Sequence, residues 1–419
     1  MLNKSTAPDS PLDNLLVDTW WFALTQRLPD EAFAALADKR VQQGFTAVQL
    51  VVGIPPEVGP ENSSAASPVG FPWTLAGTFN EAYLNFARQR IAQLNSRGLR
   101  VIVYGAWGHQ IEWLGQERMT AWWRKLIETL DDLDVVYCLT GESNIWLWGE
   151  AQNLLPDKTT TTFPVNRLKE LVGYLPYRVQ GLLIGWWRNR QRPYLEQKLN
   201  QRRQQWSRVL DEIYGLTSHP FIIHTLPQEV SSQVIDSPKR LAAVTTQTGH
   251  SETMRAALWQ RPLDHPDQPF INLEPWYEGI NGQFGAEDQL FAYWVSLLAG
   301  SQSYCYGAHG LWNVGDGQFL AHWGNQTFAE ASALDTPRLI GLSHQQFLAT
   351  RRANGRPFIE ANKNQLITIG QTFGEELIQF FPDVAQAETV PKGRIWLPLR
   401  GRWAQELPTA GPVVIIKTS

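Results

Sequence analysis

Two stretches place a glutamate where an apolar run gives out. DVVYCLTGESN, residues 134–144, ends in Thr140, Gly141, Glu142, Ser143 and Asn144, and in PFINLEPWYEG, residues 269–279, Glu274 follows Leu273 and precedes Pro275, Trp276, Tyr277 and Glu278. Two carboxyl groups delivered by different strands suit hydrolysis of a glycosidic bond. One must be protonated to assist the leaving oxygen, and the other ionised to attack or to position water. Mutual repulsion and partial burial are physical means of separating their pKa values. A glutamate at such a place more often caps a helix or meets solvent, but tryptophans surround both of these.

Other polar residues stand where apolar runs end: Asp18, Gln49, His109, Asn144, His224, Gln247 with His250, Glu278 and His309. Asp18 can accept from sugar hydroxyls with Trp20 or Trp21 stacking on an apolar sugar face, or it can pair internally. The histidines can donate to hydroxyls or orient a carboxylate, although singly each is more often structural. The chain has 19 tryptophans, and Trp107, Trp146, Trp276 and Trp312, with Tyr277, are candidate walls of a groove. Indole buries apolar area but leaves an N–H to be paired, which suits a ligand with both apolar faces and hydroxyls.

These residues need a frame that brings strand ends together. Apolar runs at 15–21, 45–52, 99–109, 134–144, 219–227, 241–250, 269–274 and 303–313 read as eight strands. They alternate mostly with helical patterns at 31–44, 80–97, 119–132, 251–260 and 287–300, the second with Arg88 and Arg90 directed to solvent. A (β/α)8 barrel is the economical α/β fold, since crossovers are long and the strands lack strict alternation. An open doubly wound sheet is the alternative, weakened by the lack of a GxGxxG turn. The glycine- and proline-rich stretch 53–77 is long enough to wall a site. Residues 172–215 read as an insertion, a short apolar run followed by a long polar helix from about 194 to 214. Residues 1–355 are expected to form the barrel and 356–419 a small β module, its strand texture beginning near Leu366.

Composition narrows the partners. With 36 basic against 40 acidic residues and no dense basic run, nucleic acid is not expected. No apolar stretch approaches the length of a membrane span, and the opening MLNKSTAPDSPLDN lacks the apolar middle of a signal peptide, so a cytoplasmic chain without membrane association is expected. The two cysteines, Cys138 and Cys305, lie in apolar stretches and read as buried thiols. Histidines fall in no zinc-like cluster, so neither a metal nor a cofactor is expected.

In combination, VDTWWFALTQRL (17–28), FTAVQLVV (45–52), TGESN (140–144), QTGH (247–250), NLEPWYEG (272–279) and YGAHGLWN (306–313) resemble the apiosidase-like glycoside hydrolase barrels. This bacterial group, long carried as a domain of unknown function, contains enzymes that release apiose from plant pectin. The resemblance spans roughly residues 12–350 and implies a (β/α)8 barrel, often followed by a small β-sandwich-like domain. It implies Glu142 as general acid/base and Glu274 as nucleophile. Much of the family has an aspartate after two glycines where this chain has Thr140, Gly141 and Glu142, which lengthens the acid by a methylene. The positions after the fourth and seventh strands also resemble retaining barrel glycosidases, implying double displacement. The expected enzyme is an exo-acting glycosidase cleaving a terminal sugar from a plant or microbial glycan. Asp18, Trp20, Gln49, Trp107, His109, Asn144, Gln247, His250, Trp276, Tyr277, Glu278, His309 and Trp312 are the expected substrate-binding set. A non-catalytic carbohydrate-binding barrel would keep the aromatic groove with carboxylates too distant or too solvated to work; a barrel lyase or esterase is the other alternative, and the absence of a G-x-S-x-G nucleophile turn argues against the usual hydrolase of that kind.

Overall fold

The computed structural model describes residues 10–145, 177–351, 355–362 and 365–418. Trp146 and the start of the 172–215 insertion, residues 172–176, lie outside them. Eight parallel strands follow in chain order: β1 Leu16–Thr19, β2 Ala47–Val51, β3 Arg100–Tyr104, β4 Val135–Cys138, β5 Phe221–Ile222, β6 Val244–Gln247, β7 Phe270–Glu274 and β8 Ser303–Tyr306. Their order, β5-β4-β3-β2-β1-β8-β7-β6, is that of a barrel, and a parallel bridge between Phe221 and Leu241 nearly closes the ring. Strands buried along nearly their whole length account for the near-continuous apolar runs.

The outer layer holds α1 Asp30–Gln42, α2 Glu81–Asn95, the short α3 Gln110–Leu114, α4 Gln116–Leu130, α5 Tyr177–Ile213, α6 Ala257–Leu263, α7 Ala286–Leu298, the short α8 His309–Trp312, α9 Phe328–Ala333 and α10 Thr336–Thr350. In α1, Pro29 precedes acidic Asp30 and Glu31, Lys39 and Arg40 occupy the last turn, and Gly44 with φ 85° follows the end. These are the charge and stop signals of a helix. The expectation that Arg90 faces solvent is corrected: it is buried between α2 and the β1 loop, donating to the carbonyls of Ala23 and Leu28 and to Asp30 Oδ1 at 2.6 Å. Three hydrogen-bond acceptors make its burial tolerable. The polar stretch after residue 193 belongs to α5, which docks through buried Trp206, Val209, Leu210 and Ile213. No regular helix links β5 to β6 among the described residues; short 3₁₀ turns at Ser231–Gln233 and Pro238–Arg240 do so.

Beyond the barrel, β9 Arg356–Asn362, β10 Gln365–Phe373, β11 Glu376–Phe381, β12 Arg394–Leu397, β13 Arg402–Ala404 and β14 Val413–Lys417 form one antiparallel sheet, ordered β13-β12-β14-β11-β10-β9. Its inner face is continuous with the barrel's apolar core. Trp294 of α7 stacks on Phe380 at 6.3 Å, and Trp396 donates to Ser343 of α10. Gln371 donates to the carbonyls of Leu297 and Leu298, satisfying acceptors that the end of α7 leaves open. Among the described residues, no helix is long and apolar enough to cross a membrane.

Candidate active site

The carboxyl ends of parallel barrel strands converge on one mouth. Glu274 is the last residue of β7, and Gln247, the last of β6, lies opposite it after an irregularity in register. Glu142 follows β4 in a turn where Gly141 bridges Trp107. A side chain at Gly141 would meet the Trp107 ring at 2.3 Å, so glycine lets the indole lie against the backbone. Glu142 itself has φ 39°, a left-handed conformation that disfavours an L side chain. Its N–H donates to His224 Nδ1 at 3.1 Å. Trp107 Nε1 donates to Glu142 Oε2 at 3.0 Å and Gln247 Nε2 to Oε1 at 3.2 Å. Burial pushes the Glu142 carboxyl up to about 8, and the negative charges of Glu274 and Glu57 add to the effect against the two donors.

Glu274 is held the other way. Only 6% exposed, it accepts from His250 Nε2 at 3.0 Å on Oε1, while His224 Nε2 stands 3.4 Å from Oε2. Burial pushes its pKa up, but the His250 hydrogen bond and the two imidazoles outweigh burial and hold it below the usual glutamate value. The tautomers follow from the backbone. His250 Nδ1 accepts from the Tyr277 N–H at 3.3 Å and His224 Nδ1 from that of Glu142, so in each ring the proton sits on Nε2, facing Glu274. Burial lowers His224 to about 4, which keeps it neutral at ordinary pH. The Tyr277 hydroxyl faces the same carboxylate and accepts from Trp21 Nε1 at 3.0 Å. Trp21 packs edge-on against Trp107 at 5.4 Å and Tyr104 at 4.7 Å, continuing the aromatic wall.

Thus Glu142, Glu274, Trp107, Gln247, His250 and Tyr277 come together, and the other expected site residues are placed elsewhere. Asp18 is fully buried: Oδ1 accepts from the Thr19 N–H, and Oδ2 from Trp20 Nε1 at 2.6 Å and Arg40 Nε at 2.5 Å. Trp20 therefore belongs to that ion pair and packs on Phe33. Gln49 lies inside the barrel with its amide engaged by Thr19, Leu273 and Tyr104. Asn144 joins the turn after β4 to Leu226 and Glu229. Trp276 stacks on Phe284 and Phe291, outside the mouth. Glu278 is buried, its oxygens accepting from Tyr306 at 2.6 Å and Thr336 at 2.7 Å. His109 lies edge-on to Trp113, His309 contacts the Gly324 carbonyl, and Trp312 packs behind Tyr277.

Sequence reasoning left out His224 and Trp21 from the binding set. Residue parity offers a signal for Trp21: Thr19 meets Gln49 inside the barrel, so Asp18 and Trp20 project outward and Trp21 inward. For His224, only its place at the end of the fifth apolar run was available.

A nearly closed parallel barrel, here with two carboxylates in opposed environments beside indole and phenol at its mouth, is the fold of the barrel glycoside hydrolases. A model of the family described as apiosidase-like, catalytic domain, matches residues 14–333, and the chain belongs to that family. Solved structures are similar in fold. A family 5 glycoside hydrolase from Bacteroides vulgatus is 14% identical, with 96% of this chain and 89% of that chain covered and a TM-score of 0.68. Another glycoside hydrolase is 12% identical, covering 96% and 92%, with a TM-score of 0.68. A further structure from Bacteroides vulgatus is 13% identical, covering 97% and 78%, with a TM-score of 0.56. No curated protein matches the chain. The protein is a glycoside hydrolase that acts on carbohydrate at its barrel site.

Proposed function

We propose that the enzyme is an exo-acting, retaining glycosidase that removes a terminal sugar from a plant or microbial glycan, with Glu274 as nucleophile and Glu142 as acid/base. The observation that carries this reading is the opposed electrostatics of the two glutamates: Glu142 is pushed up to about 8 and Glu274 is held down. At neutral pH the first carries a proton to give and the second is ionised. Glu274 Oε1 is fixed by His250, whereas Oε2 has only the longer, 3.4 Å approach of His224 Nε2 and keeps a lone pair for attack.

In the first step Glu274 Oε2 bonds to the anomeric carbon as the glycosidic C–O bond breaks, and the Glu142 proton passes to the departing oxygen. Glu142, now ionised, takes a proton from water, whose oxygen attacks the anomeric carbon and frees Glu274. Trp107 and Gln247, already donating to Glu142, support its ionised state during this half of the cycle. The aromatic wall of Trp21, Trp107 and Tyr277 suits an apolar sugar face.

The test is a screen of aryl glycosides and pectic oligosaccharides with NMR detection of the first-formed anomer, using E274A as control. Release of single terminal sugars with unchanged anomeric configuration is expected. First formation of the opposite anomer would overturn double displacement, and full activity in E274A would overturn the nucleophile assignment.

A further inference from the structure

The segment 51–60 is buried at every position except Glu57. Pro55 and Pro56 immediately precede it and restrict the backbone, while Glu57 itself has φ 66°. A non-glycine residue pays for such a conformation when surrounding structure fixes it, and such residues cluster at functional sites. The carboxylate that emerges from this loop after β2 meets the loop after β8, with Glu57 Oε2 3.5 Å from His322 Nε2. The next residue, Trp323, lies edge-on to His250, the donor to Glu274, at 6.4 Å. Because β1 lies between β2 and β8 in the barrel, this contact joins the loops that flank the end of β1, which leads into Trp21.

We propose that Glu57, braced by His322, is a specificity residue of the active site that accepts hydroxyl groups of the bound terminal sugar and blocks extension of the glycan past it. This deepens the exo-glycosidase reading and rests on it. A carboxylate with spare lone pairs is a strong acceptor for sugar hydroxyls. Glu57 is 27% exposed, so a ligand can reach it, and one cation-capable neighbour at 3.5 Å leaves acceptor positions open. An ordinary exposed ion pair would contribute little to stability, and it would explain neither the left-handed backbone of Glu57 in an otherwise buried loop nor the effect of its charge on Glu142.

That charge also reaches the acid/base, which gives a readout beside KM and cleavage pattern. The groups facing Glu142 are Trp107 Nε1, Gln247 Nε2, His224 Nδ1 at its backbone, and the carboxylates of Glu274 and Glu57. E57Q preserves size and removes one negative charge, so Glu142 should lose its proton at lower pH. With the aryl glycoside that wild type cleaves best, E57Q and E57A should raise KM about tenfold and move the basic limb of kcat/KM to lower pH. H322A should raise KM without that downward movement. On oligosaccharides, E57A should cleave internal bonds that wild type leaves intact. In substrate-free enzyme carrying ¹³C-labelled glutamate carboxyls, the signal lost in E142Q should titrate at lower pH in E57Q. Unchanged KM and cleavage pattern in E57Q and E57A, with E274A inactive, would overturn this proposal, whatever the Glu142 titration does, and leave the glycosidase reading standing. Full activity in E274A would instead overturn the nucleophile assignment beneath it.

Discussion

Two sets of buried carboxylates occupy the barrel, and they differ in what their oxygens still lack. Asp18 and Glu278 have donors on every oxygen: Thr19, Trp20 and Arg40 serve the first, and Tyr306 and Thr336 the second. Glu142 and Glu274 have donors too, but Glu274 Oε2 has only the long 3.4 Å approach of His224 and Glu142 retains part of its surface for a ligand. A saturated carboxylate specifies packing, whereas an unsaturated one held by oriented neighbours can exchange a proton or form a bond. Residue type and position at a strand end are shared by both sets; unused valence separates them.

The sharpest way to break this comparison is to remove one member of each set. E274A should lower kcat/KM at least ~10³-fold, as loss of a covalent nucleophile does, with a thermal midpoint close to wild type. D18A should do the reverse. Leaving Arg40 buried without its partner should cost about 3–5 kcal/mol, while the enzyme that remains folded keeps its kcat/KM within about threefold, the scatter of context. Calorimetry with active-site titration checks both, and loss of intrinsic turnover in folded D18A would place Asp18 in the chemistry after all.

E142Q comes next. It should cost about 10²–10⁴-fold on substrates with poor leaving groups and much less in the first step on 4-nitrophenyl glycosides, whose leaving oxygen needs little proton assistance. The sign of its pH effect is fixed by the direction of the shift. Glu142 must be protonated, so wild-type kcat/KM should fall as pH rises through about 8, and this limb should vanish in E142Q. The same shift bears on stability. The folded chain keeps this proton up to about 8, whereas the unfolded chain releases it near the ordinary glutamate value, so the contribution is present at low pH and lost as pH rises through the folded value. E142Q should therefore gain stability relative to wild type across that window, by about 1–2 kcal/mol, measured by denaturant unfolding at pH 5 and pH 8.

His250 provides a smaller, directional effect. Its hydrogen bond is the largest influence lowering the Glu274 pKa against burial. H250A should reduce kcat about 10-fold to 10²-fold, by analogy with loss of other orienting partners. Because Glu274 must be ionised, the acid limb of kcat/KM should move to higher pH. An unmoved limb would show that His250 packs beside the carboxylate without holding its charge.

The sequence exposed the barrel because buried parallel strands announce themselves as apolar runs, and it exposed Glu142 and Glu274 because each ends such a run beside indole. It hid what depends on direction. Asp18 and Trp20 were expected to face sugar, yet the parity set by Thr19 turns them toward α1. Gln49 lies at the right end of β2 but inside a filled barrel, where Tyr104, Thr19 and Leu273 use its amide. His224 gains its importance from the β4 turn packing over β5, a long-range contact that local pattern does not encode. The strand β9 was missed because RPFIEAN is a largely exposed edge with little apolar alternation.

The parity argument itself yields the smallest and most discriminating experiment. Trp20 and Trp21 are adjacent and both are buried, but Trp20 donates to Asp18 and packs on Phe33, whereas Trp21 donates to Tyr277 and packs on Trp107. Phenylalanine keeps an aromatic ring at either position and removes the indole N–H. W20F should leave the Asp18 ion pair short of one donor and lower stability by about 1–3 kcal/mol, with KM unchanged. W21F should free the Tyr277 hydroxyl from its donor and thin the aromatic wall, raising KM about threefold to tenfold with a smaller loss of stability. Paired unfolding curves and Michaelis constants separate the outcomes. If W20F alters KM as much as W21F does, the inward–outward assignment of β1 is wrong, and Asp18 returns to the sugar-binding set.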